Sequence, residues 1–215
     1  MITTLISDFG GVLTTPLIRG FLAYQEESDV TMEDLGHAMA RAEETHGAHP
    51  LHSLERGEIS EAEFGRRLSD KLGGRFDFEH LRRLYFEHLE PNDEMFDFVR
   101  GLHERGLRTA LCTNNVREWE PLWRSKLPEL DEVFEVVVDS AFVGSRKPER
   151  KIYDITLERL GGVKPQECVF VDDIDVNCEG ARELGMHPVR FEDAAQAIAE
   201  IEDLLRPAGE PPGPG

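Results

Sequence analysis

The stretch Cys168-Val169-Phe170-Val171-Asp172-Asp173 joins a short apolar run to two adjacent carboxylates. An apolar run of this kind is typical of a strand buried in a parallel sheet. Three further stretches place a polar residue at or after the end of a strand-like run: 5–8 with Asp8, 109–113 with Thr113, and 136–138 with Lys147. Because the carboxyl ends of parallel strands share one crevice, we expect these polar groups to converge there.

Strand-like and helix-like segments alternate along the second half of the chain. The predicted strands cover residues 2–7, a run ending at Thr113, 134–138, 168–171 and 188–191. The predicted helices cover residues 93–104, 116–126, 149–160, 176–184 and 194–205. This alternation indicates βαβ units, and therefore an α/β fold with a parallel sheet.

A long helical region, residues 16–89, separates the first predicted strand from the rest of the sheet. Two helix starts are readable there from their sequence. Thr31 with Asp34 resembles a capping box, and Ser60 with Glu63 matches the preferred pattern better.

The helical region is too long for a loop in a compact domain. We therefore predict a helical cap over residues 16–89 and a core formed by residues 1–15 and 90–206. Because the insertion begins shortly after Asp8, it should cover the crevice. The Pro- and Gly-rich tail, residues 207–215, is predicted to be disordered.

The chain has 215 residues and a formal net charge of −19 at pH 7. A negative field of this size repels nucleic acid and anionic membranes, so we expect neither as a partner. No apolar run approaches the roughly 20 residues of a membrane span, and the N-terminus lacks the basic region of a signal peptide. Three cysteines without framework spacing favour a reducing cytoplasm.

The polar groups of the predicted crevice suit the handling of a phosphate. The Asp8 carboxylate can attack phosphorus and divide the reaction into two easier steps. The Thr113 hydroxyl, donors near Asn114 and the Lys147 ammonium group can hold phosphate oxygens. Each residue also has an ordinary structural explanation, since Asp and Thr are common in turns and helix caps.

The pair Asp172 and Asp173, followed by Asn177, is the sharpest local signal. Two adjacent carboxylates after a buried strand repel each other, and a cation relieves that repulsion. Mg²⁺ takes carboxylate and phosphate oxygens as ligands. A helix N-cap would account for one of the two aspartates, but it explains the pair less well.

The order of these motifs, with a helical insertion after the first strand, resembles the haloacid dehalogenase superfamily. The resemblance covers about residues 3–200 and implies a Rossmann-like core with a helical cap, a phosphoaspartyl intermediate and Mg²⁺. It implies catalytic roles for Asp8 as nucleophile, Thr113 and Lys147, and phosphate binding by Thr113, Asn114 and Lys147. The implied metal ligands are Asp8, the Gly10 carbonyl, Asp173 and, directly or indirectly, Asp172.

Segments 54–60 and 145–149 resemble a narrower group, which contains glucose-1-phosphate phosphatases and the phosphatase domain of soluble epoxide hydrolases. Typical phosphatases of the superfamily carry a second aspartate, a general acid and base, where this chain has Gly10. A positioned proton donor contributes about 10²- to 10⁴-fold in rate. The substrate therefore has a good leaving group, or the cap supplies the missing group, or the chain is not a phosphatase.

Three histidines of the predicted cap are candidates for that missing group: His46, His49 and His52. Histidine suits proton transfer near neutral pH. A solvated loop is the alternative interpretation, because Gly47 and Pro50 interrupt any common helical face.

The predicted function is a Mg²⁺-dependent phosphatase acting on a small phosphorylated metabolite such as a sugar phosphate. One alternative is a catalytically weak relative that binds a phosphoryl ligand or a protein, and its support is Gly10. The other is a 2-haloacid dehalogenase, against which Asp172 and Asp173 argue, because without a cation they would repel the nucleophile. The sequence specifies no oligomeric state.

Overall fold

The computed structural model describes residues 1–206, so the predicted disorder of 207–215 lies outside the described residues. Five strands form one sheet: β1 (Thr4–Ser7), β2 (Arg108–Thr113), β3 (Val136–Asp139), β4 (Cys168–Asp172) and β5 (His187–Arg190). Their order is β3-β2-β1-β4-β5, and every neighbouring pair is parallel. The predicted α/β fold is confirmed.

The strand β1 is the point at which the direction of strand addition reverses. The chain adds β2 and β3 on one side of β1 and then crosses to add β4 and β5 on the other. A crevice forms outside the carboxyl ends of the strands at such a reversal, and ligands bind there in open α/β sheets. The topology therefore places the crevice at the end of β1, directly beside Asp8.

Both faces of the sheet are covered by helices. Alternate strand residues enter two separate apolar clusters, with Leu5 and Val169 in one and Ile6 and Phe170 in the other, as the two-residue period of a strand requires. The helices that follow the insertion are α6 (Asp93–Glu104), α7 (Glu120–Arg124), α8 (Leu130–Val133), α9 (Ser140–Val143), α10 (Arg150–Arg159), α11 (Asp175–Glu183) and α12 (Ala194–Leu205). Short 3₁₀ turns cover Arg117–Trp119 and Pro165–Glu167.

The prediction of one continuous helix over residues 116–126 is wrong. The structure has the 3₁₀ turn Arg117–Trp119 and then α7, in whose first turn Pro121 lies. Proline has no N–H to donate to the preceding turn, so it begins a helix more readily than it continues one. The short helices α8 and α9 were not predicted from the sequence.

Five helices lie between β1 and α6: α1 (Ile18–Glu27), α2 (Met32–His46), α3 (Pro50–Glu55), α4 (Glu61–Lys71) and α5 (Phe78–Glu87). Thr31 and Asp34 form the complete capping box at the start of α2. At the start of α4 only the Ser60 half is present, because the Glu63 carboxylate pairs instead with Arg67, at 2.6 Å. The prediction that Ser60 and Glu63 form the better of the two capping boxes is therefore wrong. Among residues 1–206, every helix is too short or too polar to span a bilayer.

The helices α1 and α5 approach each other closely at Gly20. A Cβ atom placed on Gly20 would lie 2.8 Å from the Cβ and 2.9 Å from the Cα of Tyr85. The contact with the Tyr85 backbone cannot be relieved by rotating a side chain, so only glycine fits. Gly36, in α2, is exposed, and a Cβ there would meet nothing within 4 Å.

We predict opposite effects for two glycine substitutions. Gly20→Ala should lower the free energy of unfolding by about 1–3 kcal/mol, because the added methyl group forces the two helices apart. Gly36→Ala should raise it by roughly 0.5–1 kcal/mol, since alanine favours the helix and nothing obstructs it. Urea denaturation of both variants measures the effects, and equal values for the two would contradict the packing described here.

Candidate active site

The predicted site residues meet at the carboxyl edge of the sheet. Asp8 follows β1, Thr113 ends β2, and Asp172 ends β4, while Lys147 lies in the loop between α9 and α10. The Lys147 Nζ atom is 2.8 Å from Asp8 Oδ1 and 2.6 Å from Asp172 Oδ2. The ammonium group thus joins the neighbouring strands β1 and β4 through the carboxylates at their ends.

Lys147 is completely buried. Burial opposes its charge most strongly, but Asp172 and Asp8 outweigh that effect, so the pKa of Lys147 is raised and the side chain stays charged. An unpaired ammonium group in this position would cost several kcal/mol. Two of its three N–H donors serve the carboxylates, and one remains for another acceptor.

The two oxygens of Asp8 have different surroundings. Oδ1 lies beside Lys147 Nζ and accepts a hydrogen bond from the backbone N–H of Phe9, at 2.7 Å. Oδ2 accepts no hydrogen bond from any of residues 1–206. Burial raises the pKa of Asp8 to about 7, with Lys147 lowering it and Asp172 and Asp173 adding to the rise. One oxygen is therefore held in place while the other is free to react.

The adjacent carboxylates Asp172 and Asp173 also differ. Asp172 is fully buried and accepts hydrogen bonds from Lys147, from the backbone N–H of Ile174 at 2.9 Å and from the Asn177 amide at 3.0 Å. Asp173 lies beside Gly11 instead, where a Cβ atom would overlap its carboxylate. Asp172 therefore positions Lys147, and Asp173 is the carboxylate that remains available.

A cavity of about 350 Å³ opens above this floor. Its polar lining consists of the Gly10 backbone, the Tyr85 hydroxyl and the side chains of Asp8, Glu55, Thr113, Asn114, Asn115, Arg146, Asp173 and Asn177. Much of the opposite wall is apolar and comes from the inserted helices, as with Phe21, Leu54 and Phe64. Lys147 and Asp172 do not line the cavity, because both are buried beneath it. Their effect on a ligand therefore passes mainly through Asp8.

Asn114, predicted to bind substrate, lines the cavity but has a structural task as well. Its side-chain oxygen accepts from the backbone N–H of Lys147 at 2.8 Å, and its amide donates to the Lys147 carbonyl at 3.0 Å. These bonds fasten the loop that carries Lys147 to the end of β2. The Thr113 hydroxyl makes no hydrogen bond to the described residues and is free for a ligand.

The histidine candidates lie away from the cavity. None of His46, His49 and His52 lines it, and the rings of His49 and His52 pack together with their centroids 4.3 Å apart. Two charged residues that were not predicted do line it, namely Glu55 on α3 and Arg146 in the Lys147 loop. Both lie in the segments 54–60 and 145–149 that carry the resemblance, and that was the available signal.

The site has the donors that a divalent cation requires. Asp8, Asp172 and Asp173 each bring one carboxylate oxygen within 4.8 Å of the others. Three carboxylates against the one ammonium group of Lys147 leave an excess of negative charge, which a hard cation such as Mg²⁺ neutralises with oxygen ligands. Gly11 has no side chain, and only for this reason does the space beside it accommodate the Asp173 carboxylate. The residues therefore fit Mg²⁺.

Comparison with known proteins agrees with this geometry. The family described as haloacid dehalogenase-like hydrolase matches residues 2–185, and the chain belongs to this family. The fold is also that of a predicted hydrolase of this family from Porphyromonas gingivalis, with 25% identity, a TM-score of 0.74, and coverage of 96% of this chain and 99% of that one. A magnesium and inorganic phosphate complex of a family enzyme from Bacteroides thetaiotaomicron has 22% identity and a TM-score of 0.69, covering 88% and 93%. The resemblance to the superfamily is confirmed.

Several curated relatives match most of this chain, and two of them differ greatly in length. The rat (Rattus norvegicus) bifunctional epoxide hydrolase 2 is 28% identical over 92% of this chain, which spans only 38% of that protein's length. The D-ribitol-5-phosphate phosphatase of Bacteroides thetaiotaomicron is 27% identical, and the match covers 95% of this chain and 99% of that enzyme. Relatives of similar length thus exist beside much longer ones.

We predict that the charge of Asp8 reduces the stability of the metal-free protein. Because the pKa of Asp8 is raised from its ordinary value of 3.8 to about 7, the native state binds this proton more tightly than the unfolded chain does. The wild type should therefore lose stability relative to Asp8→Asn as the pH rises from about 4 to 7. Urea denaturation in a chelator measures the difference at each pH.

The same stability measurement with added Mg²⁺ is the control for this prediction. Added Mg²⁺ at neutral pH should restore stability to the wild type more than to Asp8→Asn, because a ligand that binds only the native state stabilises it. A stability difference that stays constant with pH would contradict the assigned pKa direction.

Proposed function

We propose that the chain is a Mg²⁺-dependent phosphatase that hydrolyses a small phosphorylated metabolite through a phosphoaspartyl intermediate on Asp8. The observation that carries this proposal is the unequal environment of the two Asp8 oxygens. Oδ1 is held by Lys147 and the Phe9 N–H, while Oδ2 is free of hydrogen bonds from the described residues, on a side chain that lines the cavity. A nucleophile needs this combination of fixed orientation and one free oxygen.

The first step of the proposed reaction is attack by Asp8 Oδ2 on phosphorus, with departure of the alcohol oxygen. The Thr113 hydroxyl donates to a phosphate oxygen, and Lys147 orients Asp8 and favours its ionised form. Water then attacks the phosphoaspartate and releases phosphate and the free carboxylate. Asp8, Asp173 and the Gly10 carbonyl would hold Mg²⁺, while Asp172 holds Lys147. When bound, Mg²⁺ supplies positive charge that offsets the charge on the transferring phosphoryl group.

The relatives support a phosphatase with a small substrate. A D-ribitol-5-phosphate phosphatase matches nearly the full chain, and a glyceraldehyde 3-phosphate phosphatase of Methanopyrus kandleri matches 49% of it at 35% identity. The cavity, at about 350 Å³, is at the lower end of the volumes typical of ligand pockets. We propose further that residues 16–89 act as the cap domain, because the helices they contain supply the apolar wall. The three buried free cysteines fit a cytoplasmic location.

Gly10 limits the proposed chemistry, because it provides no side chain to protonate the leaving alcohol. A substrate with a good leaving group, such as a sugar 1-phosphate, needs that proton least. The position itself is open, since a Cβ atom on Gly10 would meet nothing within 4 Å. The absence of an aspartate there is therefore not required by packing.

The proposed function is tested by phosphate release from sugar 1-phosphates and sugar 6-phosphates, with and without Mg²⁺. We expect Mg²⁺-dependent turnover that favours 1-phosphates and falls by at least about 10³-fold in Asp8→Asn, since the nucleophile is lost. No release from any substrate by the folded wild type would favour a binding role. Chloride release from haloacids would favour the dehalogenase.

A second variant tests the role of Gly10. Gly10→Asp should fold, because the site has room, and should raise kcat for sugar 6-phosphates by about 10²-fold or more through general acid catalysis. The rate with 1-phosphates should change much less, because their leaving group needs less protonation. Gly10→Asn is the matched control, since it adds equal volume without an acid. An equal effect of both variants would contradict this explanation.

A further inference from the structure

Two ion pairs connect helix α3 to the segment 145–149, and we call them the crossed ion pairs. Glu55 pairs with Arg146 at 2.5 Å, and the next residue, Arg56, pairs with Glu149. The acid is on α3 in the first pair and on the core side in the second. The two pairs are neighbours in the structure, but only Glu55 and Arg146 line the cavity.

In the pair Arg56–Glu149, both carboxylate oxygens of Glu149 accept hydrogen bonds. Arg56 donates from Nε to Glu149 Oε1 at 2.8 Å and from Nη2 to the same oxygen. The other carboxylate oxygen accepts from the Ser145 hydroxyl at 2.9 Å and from the backbone N–H of Arg146 at 3.3 Å. This pair therefore has a sufficient structural role in attaching α3 to the core.

The pair Glu55–Arg146 is incomplete by comparison. Arg146 donates to Glu55 only from Nε, and within residues 1–206 its Nη1 and Nη2 atoms reach no hydrogen-bond acceptor. The Arg146 side chain is 17% exposed and the Glu55 side chain 12%, and the space they share is the cavity. Both terminal nitrogens keep exposed surface where Arg146 lines the cavity, so water or a ligand can accept their hydrogen bonds.

The surroundings indicate which part of a ligand reaches Arg146. Among residues 1–206, Glu55 is the one charged side chain that the helices α1–α5 contribute to the lining, and most of the remainder are aliphatic or aromatic. Apart from Glu55 and the Tyr85 hydroxyl, that wall is hydrocarbon, and hydroxyl groups placed against it would lose their hydrogen bonds to water without replacement. Arg146 is the one cationic side chain that residues 1–206 contribute to the lining, so an acceptor oxygen on the organic part of a substrate is best placed there.

We propose that Arg146 is a substrate-binding residue whose Nη donors hold an acceptor oxygen on the organic part of a short phosphate monoester, and that Glu55 is a positioning residue for its guanidinium group. The proposal rests on the proposed phosphatase function. It defines the substrate class as a compact ester with at least one hydroxyl or carbonyl oxygen toward Arg146 and its carbon chain along the apolar wall. Arginine suits this task because its planar group can serve Glu55 and the substrate at once.

The test compares glycerol 3-phosphate with n-propyl phosphate, which has the same number of carbons and no hydroxyl group. The wild type should show a kcat/KM for glycerol 3-phosphate about tenfold or more above that for n-propyl phosphate, as a hydrogen bond to a charged group provides. In the double variant Glu55→Gln/Arg146→Met, the ratio should fall to near unity, mainly through KM. The Glu55 change avoids a buried carboxylate without a partner.

Two further variants separate binding from cap attachment. Arg56→Met breaks the neighbouring pair, which does not line the cavity, and should affect both esters equally. Arg146→Lys should recover part of the ratio, because an ammonium group still donates but lacks the fork. An unchanged ratio in the double variant, or an equal loss of the ratio in Arg56→Met, would overturn the proposal.

Binding measurements keep the test separate from the proposed function. Calorimetry with Asp8→Asn, which keeps Arg146 and cannot form the phosphoaspartate, should show tighter binding of glycerol 3-phosphate than of n-propyl phosphate. Adding Glu55→Gln/Arg146→Met should abolish that preference. If the wild type releases no phosphate yet the binding preference exists and depends on Arg146, the phosphatase function fails and this assignment stands. Equal binding of the two esters would overturn the assignment itself.

Discussion

Lys147 carries its ammonium group at a position without exposed surface, between the carboxylates of Asp8 and Asp172. A buried charge of this kind is tolerated only when its partners are fixed by further bonds. Asn114 forms such hydrogen bonds with the Lys147 backbone, and Asn177 forms one with the Asp172 carboxylate. Removing the charge would leave the two carboxylates facing each other, so the arrangement of all three strand ends depends on this one contact.

The strand order places that contact where a ligand can use it. Since β1 is central, with β2 on one side and β4 on the other, Asp8 stands between the residues that end both neighbours. The inserted helices follow β1 directly in the sequence, so they lie over the same edge of the sheet. Burial by these helices excludes water and raises the pKa of Asp8, and Lys147 limits the rise. The same enclosure that shields Asp8 from solvent therefore also influences its charge.

The cavity has a polar side and a largely apolar side. Its floor is polar and carries Asp8, Thr113 and Asp173, whereas much of the opposite wall is apolar. The net charge of −19 would repel a phosphate ester at long range, so attraction has to come from cations close to the site. Arg146 brings positive charge to the lining beside Glu55, and its neighbour in sequence, Lys147, brings it beneath Asp8. The cavity therefore presents charged and hydrogen-bonding groups on one side and mostly hydrocarbon on the other.

The sequence by itself determined the α/β class and the strand-end residues, because apolar runs and helical spacing are local patterns; helices α6 and α12 have the predicted bounds. The order of the strand-end motifs carried the resemblance to the family. Only the tertiary structure decided which of two adjacent aspartates faces the cavity, since that depends on Lys147 and Asn177 reaching Asp172 from other elements. It alone excluded His46, His49 and His52 from the lining and brought Glu55 to Arg146. Partners so far apart along the chain obey no local period, so packing has to bring them together before their chemistry can be seen.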